Sequence, residues 1–297
     1  MKNKRKLIPW LYSMPALILI GMIIMFPILY TGYISLTNMN LFHWSDYEFV
    51  GLSNYSRALL KADSGFLGAL LTTLFWTALN IVIQVVAAYF IALGFQREDF
   101  KGKRVYKTLL MFPWAMPAYV SILLWRVGIY NTEFGLLNKI LVALGFGKVN
   151  FLSTNVPAFL SCVTLNLWMA LPFMIMMIDG ALSGIDRSYY ESAELDGAGF
   201  WSKNIYITIP AMKGIIAPAV IMTTFTTFKQ FDIVYLLTMQ KGAYSGATLQ
   251  TVITYAQQNA FVSNNYGLSS AVSIIIFFLI MVFSLFTNRG VKEEDYD

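Results

Sequence analysis

The sequence predicts an all-α integral membrane protein: six transmembrane helices, with one short polar helix on the cytoplasmic side between the fourth and the fifth. Three observations predict it. Of 297 residues, 57% are hydrophobic and only 12% charged, against ~25% charged in a typical soluble domain. The stretches 7–45, 64–96, 108–125, 149–178 and 242–288 contain no Asp, Glu, Lys or Arg, and each comes close to or exceeds the ~20 apolar residues that a spanning helix needs. Basic residues gather in alternate connections, namely the N-terminal tail, 97–107, 187–213 and the C-terminal tail. That is the distribution the positive-inside rule produces. The net charge of +5 therefore sets orientation, with both termini cytoplasmic, and does not point to nucleic acid.

The elements follow in order. The opening MKNKRK leads into an apolar stretch that runs to about Leu36, too long for a signal peptide and without a small-residue cleavage site. It reads as a first span over about 12–36. Residues 37–68 form an external segment with Phe42, Trp44, Tyr47, Phe49 and Tyr55 as aromatic anchors. The second span covers about 69–95, and Arg97, Lys101, Lys103, Arg104 and Lys107 hold the next connection inside. The third, about 108–129, contains Pro113 and Pro117, each lacking an N–H and clashing one turn back, so a kink is expected. Gly135, Gly145 and Gly147 break the external segment that follows. The fourth span covers about 157–182.

The fifth span, about 207–237, carries Lys213, Lys229 and Asp232, and parity requires it: without it Arg289 and Lys292 would face outward. Both lysines lie near its ends, where they can snorkel. Lys229 and Asp232, three apart, read as an interfacial pair at the outer end or as a buried one. A sixth span over about 267–288 returns the C-terminus inside, so residues 1–297 form one transmembrane domain.

The polar interlude DRSYYESAELDGAGFWSKNIYITIP, 186–210, has its own logic. Ser188 and Glu191 form a capping box, so a helix should start near Tyr189. Gly197 supplies the left-handed residue that ends it. A second helix begins near Phe200, and Pro210 suits the entry to the next span. Tyr189, Tyr190 and Ala193 share a face and make an apolar knob suited to a partner's groove. The alternative is a loop that merely joins two spans.

Glu191, Ala193, Gly197, Ile207, Ile209 and Pro210 fit E-A-A, three residues, G, nine residues, I-x-L-P, with Ser192 and Ile209 as departures. This resembles the EAA loop of permease subunits in binding-protein-dependent ABC importers. SLTNMN…FVGLSNYSRAL, in the first external segment, resembles the sugar branch, the maltose and multiple-sugar permeases. The resemblance implies that 186–203 is a cytoplasmic coupling helix and loop, with Glu191, Ala193, Asp196, Gly197 and Ala198 engaging an ABC ATPase dimer. It also implies a second, different permease subunit, an extracytoplasmic sugar-binding protein, and a prokaryotic cell (inner) membrane. No G-x-x-x-x-G-K-[ST] occurs, so this chain carries no cofactor and ATP-Mg belongs to the partner ATPase. The chain departs from its relatives at Met239-Gln240-Lys241-Gly242, where many have Gly-Gly-Pro, in a loop expected to meet the binding protein.

Polar residues inside spans are expensive and face a cavity or another helix. On the fourth span Asn166, Met169, Ala170 and Phe173 share one face at i, i+3, i+4 and i+7. Thr223, Thr226, Thr227 and Gln230 repeat that spacing on the fifth, and Trp114 and Ala118 sit a turn apart on the third. Aromatic surface, amides and hydroxyls together suit a neutral polyol. In maltose-type permeases the segments similar to Leu110–Pro117, Asn166–Met174 and Thr223–Thr238 line the sugar pocket. Taken singly, each polar residue has a packing role open to it: Thr bonding back to its own helix, Asn joining two helices.

The expected function is transport of a sugar, an oligosaccharide, by alternating access driven by a separate ATPase. A glycerol phosphate permease is the nearest alternative and would need a cation such as Lys229 facing the cavity. A self-contained carrier would need coupling-ion ligands near the bilayer midplane. No nucleophile–base pair or His-rich cluster suggests an enzyme. His43, the sole histidine, makes no metal site alone, and Cys162, the sole cysteine, can form no internal disulfide.

Overall fold

The computed structural model describes residues 12–61, 65–97, 99–239 and 249–294. In chain order the helices are α1 (Tyr12–Ile34), α2 (Ser53–Leu60), α3 (Phe66–Gln96), α4 (Lys103–Ala115) and α5 (Ala118–Ile129). They continue with α6 (Leu136–Ala143), α7 (Asn155–Ser183), α8 (Arg187–Leu195) and α9 (Phe200–Phe228). The last three are α10 (Asp232–Val234, prolonged by a π-helical turn Tyr235–Met239), α11 (Val252–Phe261) and α12 (Tyr266–Glu294). Among the described residues the only β pairing is an isolated bridge between Thr37 and Phe49.

Among the described residues five helices are long and apolar enough to cross a membrane: α1, α3, α7, α9 and Tyr266–Thr287 of α12. A sixth arises if α4 and α5, bent by 94° at their junction, count as one span. Their outward side chains are those of a protein solvated by lipid. Met22 and Ile23 of α1 are 67% and 68% exposed, which an aqueous domain of this apolar content would bury.

The segment expected as the third span is broken into α4 and α5 rather than kinked. Pro113 stays inside α4, but Met116 is extended at ψ 142 and Pro117 is the N-cap of α5, because a residue preceding proline is driven out of the helical region. The fifth span also differs from the single helix over 207–237. It begins at Phe200, running through a π-helical stretch Asn204–Thr208 that precedes Pro210. It ends at Phe228, where Lys229 N–H and Gln230 N–H bond tightly back to Phe225 O and Thr227 O. Phe231, at φ −103, then redirects the chain into α10. Lys229 and Asp232 are both exposed, and no ion pair joins them among the described residues.

The chain falls into two compact units. The first, residues 1–69 and 252–282, is closed by the segment after α1. Asn54 donates its amide to Ser35 O and Thr37 O at 2.9 and 2.8 Å, Ser35 Oγ lies 2.6 Å from Tyr55 OH, and Trp44 meets Tyr266 edge-on at 5.3 Å. Gly267 donates its N–H to Met39 O, and a Cβ there would collide with the Thr37 carbonyl, so only glycine permits this approach.

The second unit, residues 70–251 and 283–297, is centred on α7, which packs on both α4 and α9. Trp76, Ile122, Trp125, Leu165 and Ile233 form one buried cluster, and Ala88, Ala92, Met174 and Ile178 form another. Side chains of α3 and α7 meet in both clusters, Trp76 with Leu165 in one and Ala88 and Ala92 with Met174 and Ile178 in the other. Asp179 of α7 is ion-paired with Lys107 of α4 and accepts from Gln96 of α3 at 3.0 Å.

Candidate functional site

A cavity of about 560 Å³ opens in the second unit, walled by α3, α4, α5, α7, α9 and the break before α10. The α4/α5 bend turns Trp114 and Ala118 to it, and Trp114 stacks on Phe173 of α7 with ring centroids 6.1 Å apart and planes 15° from parallel. Met169 and Ala170 line the same wall as Phe173. Asn166 lines it too and donates to Asn80 Oδ1 of α3 at 2.8 Å, so it joins two helices and faces the cavity at once.

On α9, Thr223, Thr226 and Thr227 line the cavity as well. The Thr226 hydroxyl donates to its own helix, 2.9 Å to Thr223 O and 3.2 Å to Met222 O, which leaves its lone pairs as acceptors. Trp76 Nε1 donates to Thr227 O at 3.1 Å and ties α9 to α3. Gln230 reaches the cavity from the break, not from the helix. All ten residues expected on these faces, Trp114, Ala118, Asn166, Met169, Ala170, Phe173, Thr223, Thr226, Thr227 and Gln230, therefore border one space.

Six further residues line it: Gln84, Pro113, Met116, Met222, Asp232 and Ile233. Gln84 and Asp232 add an amide and a carboxylate. Among the described residues no Lys or Arg lines this cavity, and Lys229 is absent from its wall.

The second candidate region is the α8–α9 turn. Its cap differs from the expected capping box: Asp186, not Ser188, is the N-cap, accepting from Ser188 N–H at 2.9 Å, and α8 starts two residues earlier, at Arg187. A carboxylate outcompetes a hydroxyl for this place because it carries full charge at the positive end of the helix. That N–H holds the Asp186 carboxyl below the usual carboxylate range.

The C-terminal end of α8 has the geometry expected of glycine. Gly197 has φ 78, Gly197 N–H bonds to Glu194 O at 3.0 Å, and Ala198 N–H bonds to Ala193 O at 2.9 Å. These are the two bonds of a Schellman motif, so Ala193, Gly197 and Ala198 are linked through their backbones. Glu191, Asp196 and Gly197 are exposed, and Ala193 and Ala198 are half-buried.

The apolar knob is only partly free. Tyr189 is 63% exposed, whereas Tyr190 is half-buried with its hydroxyl 3.0 Å from Thr208 Oγ1 of α9. Lys203 pairs with Glu194 at 2.6 Å across the turn, Tyr89 of α3 bonds Asn204, and Asn204 donates to Phe200 O at 2.8 Å. The turn is thus anchored to α3 and α9 while Tyr189, Leu195, Phe200 and Trp201 stay exposed. In the loop after α10, Gln240, Lys241 and Gly242 lie outside the described residues.

Comparison with known proteins gives this geometry a family. The "Binding-protein-dependent transport system inner membrane component" family matches residues 84–289. The trehalose/maltose transport system permease protein MalF of Thermococcus litoralis is 31% identical, over 96% of this chain and 94% of its own length. The galactooligosaccharides transport system permease protein GanP of Bacillus subtilis is 29% identical over 96% of this chain and 70% of its own. Among solved structures, a bacterial ABC transporter that imports the acidic polysaccharide alginate matches with TM-score 0.81 at 19% identity, covering 98% of this chain and 97% of that one. The alginate importer shares the fold, and the curated relatives are transporter permeases, not enzymes. The chain belongs to the family of inner-membrane components of binding-protein-dependent transport systems.

Proposed function

We propose that this chain is the permease subunit of an ABC importer that moves a sugar, an oligosaccharide, into the cytoplasm. The observation that carries the proposal is the cavity wall, where a stacked Trp114–Phe173 pair faces amides and threonine hydroxyls. Sugars bind by packing C–H faces on aromatic rings and by hydrogen-bonding their hydroxyls, and about 560 Å³ suits a small ligand. A lining carboxylate, with no cation beside it among the described residues, favours a neutral solute over glycerol phosphate. The relatives named for trehalose, maltose and galactooligosaccharides support the same class.

In this proposal six spans, with the broken α4–α5 pair as the third, place both termini in the cytoplasm of a prokaryotic cell. The α8 turn is the coupling element. Glu191, Ala193, Asp196, Gly197 and Ala198 dock on one subunit of a cytoplasmic ATPase dimer, which holds ATP-Mg. A second, different permease completes the pathway, and an extracytoplasmic binding protein delivers sugar. Closure of the ATPase pair swings α8, and α9, continuous with the turn from Phe200, carries that motion to Thr223, Thr226 and Thr227. The proposed sugar contacts are the ten residues expected from sequence.

The test is purification of the tagged chain from its host, identification of its partners by mass, and reconstitution into liposomes. ATP-dependent sugar uptake requiring a second permease, an ATPase and a binding protein is the expected result. Uptake by this chain alone would instead establish a self-contained carrier.

A further inference from the structure

Gln84 borders the cavity with both of its side-chain polar atoms buried and, among the described residues, without a partner. The residue is 1% exposed. Buried side-chain amides are almost always bonded, and lipid offers an amide nothing to bond to. Its neighbours on the same face of α3 show the contrast. Thr77 donates to Thr73 O and Asn80 to Trp76 O, both at 2.8 Å, and Asn80 Oδ1 accepts from Asn166. The polar stripe closes its bonds internally until it reaches the cavity, where it stops. Of the other polar groups there, Thr226 spends its proton on its own helix, Asn166 spends one N–H on Asn80, Asp232 when ionised only accepts, and Gln230 is not buried.

We propose that Gln84 is a specificity-determining contact of the transported sugar, its amide pairing with two neighbouring hydroxyls. This rests on the sugar-permease function proposed above. A planar amide offers a carbonyl acceptor and an N–H donor side by side, the complement of adjacent sugar hydroxyls, one donating and the next accepting. A site built to bond a hydroxyl rejects an analogue that lacks it far more strongly than an apolar wall does, since the site's own polar group is then stranded. An amide kept for holding helices together would be bonded in the empty chain; one kept for a ligand is unsatisfied until the ligand arrives, at a cost to stability.

The experiment uses the complete importer in proteoliposomes, with Q84L and Q84E beside the native chain. Maltose, trehalose, maltotriose and galactobiose are the probes, followed by the monodeoxy derivatives of whichever is transported. Parent and derivative compete for uptake with the same binding protein present, so that protein's own selectivity cancels between variants. The expected result is that the native importer prefers the parent over one monodeoxy derivative about tenfold more than Q84L does. Q84E, which when protonated keeps a donor and an acceptor, restores part of that preference. Q84L should also melt at the same temperature as the native complex or higher, because it removes an unsatisfied group. Equal discrimination in native and Q84L importers overturns the role of Gln84 while leaving sugar transport standing, as does a Q84L complex that melts lower and discriminates as before. If the native importer takes up none of the probes, the sugar function falls and this proposal with it.

Discussion

The side-chain amide of Asn166 donates to Asn80 Oδ1 across the α7–α3 interface at 2.8 Å, and Asn80 in turn donates to Trp76 O at 2.8 Å. Asn166 therefore reaches the cavity with its orientation fixed from behind. Sequence left two roles open for this residue, ligand contact and helix–helix bonding; the geometry shows the bond between helices and places the residue on the cavity wall.

Asn80→Leu separates them. Interhelical hydrogen bonds in membranes average ~0.6 kcal/mol, so the loss of stability should be small, while Asn166 loses the partner that aims it. The expected outcome is a fall in sugar uptake, severalfold at equal amounts of folded complex, with little change in melting temperature. Uptake that drops only in proportion to folded protein would reduce Asn80 to a purely structural role.

The Lys107–Asp179 pair behaves differently because it is buried on one side. The side chains are 27% and 8% exposed, and Asp179 also accepts from Gln96 Nε2 at 3.0 Å. Lys107→Ala strands a buried carboxylate, which costs about 3 kcal/mol, the low end for breaking such a pair, because Lys107 retains some solvent. The double variant Lys107→Met with Asp179→Asn removes both charges and should recover most of that loss. Thermal unfolding of the detergent-purified complex checks both, and a double variant as unstable as the single one would mean that the ion pair is not the source.

Much of the cavity was legible because a helical period places i, i+3, i+4 and i+7 on one face whatever the helix packs against. Asn166 to Phe173 follow from that alone. Asp232 was not legible in the same way: K-Q-F carries no Gly or Pro to announce that α9 ends at Phe228, and only the break brings Asp232 and Ile233 to the cavity. Gln84 sits on a polar face that the same period defines. Thr73, Thr77, Asn80 and Gln84 are spaced on one face of the second span, and all are buried. At the turn, Gly197 was readable from its residue type, whereas Asp186 lost to Ser188 because the capping-box pattern ranks a spacing above a charge.

Asp186 predicts a pH dependence for the start of α8. Its carboxyl is held below the usual range by the Ser188 N–H, so it stabilises the helix at any pH above the unfolded carboxylate value, ~3.9, and that stabilisation fades as pH falls through the lower folded value. After correction for intrinsic rates, hydrogen-exchange protection in the first turn of α8 should be level from neutral pH to about pH 5 and decline only in stronger acid. Asp186→Ala should be less protected throughout and show no such step. A step near neutrality would assign the effect to another group.

Gly197 tests whether the α8 turn couples ATP hydrolysis to transport, and why glycine is there. Its φ is 78, and nothing lies within 4 Å of where a Cβ would stand, so the demand is for the left-handed conformation and not for room. An L-residue in that region costs about 1–2 kcal/mol, and Asn bears it best because its short polar side chain bonds locally. Gly197→Asn should therefore retain more coupling than Gly197→Ala despite its greater size, and Gly197→Val should retain least, since β-branching adds to the strain. The measure is sugar transported per ATP hydrolysed in the reconstituted importer. If loss follows side-chain volume instead, with Asn worse than Ala, the surface around Gly197 is closely covered by the ATPase. If Gly197→Val transports normally, the Schellman geometry from Ala193 to Ala198 has no part in coupling.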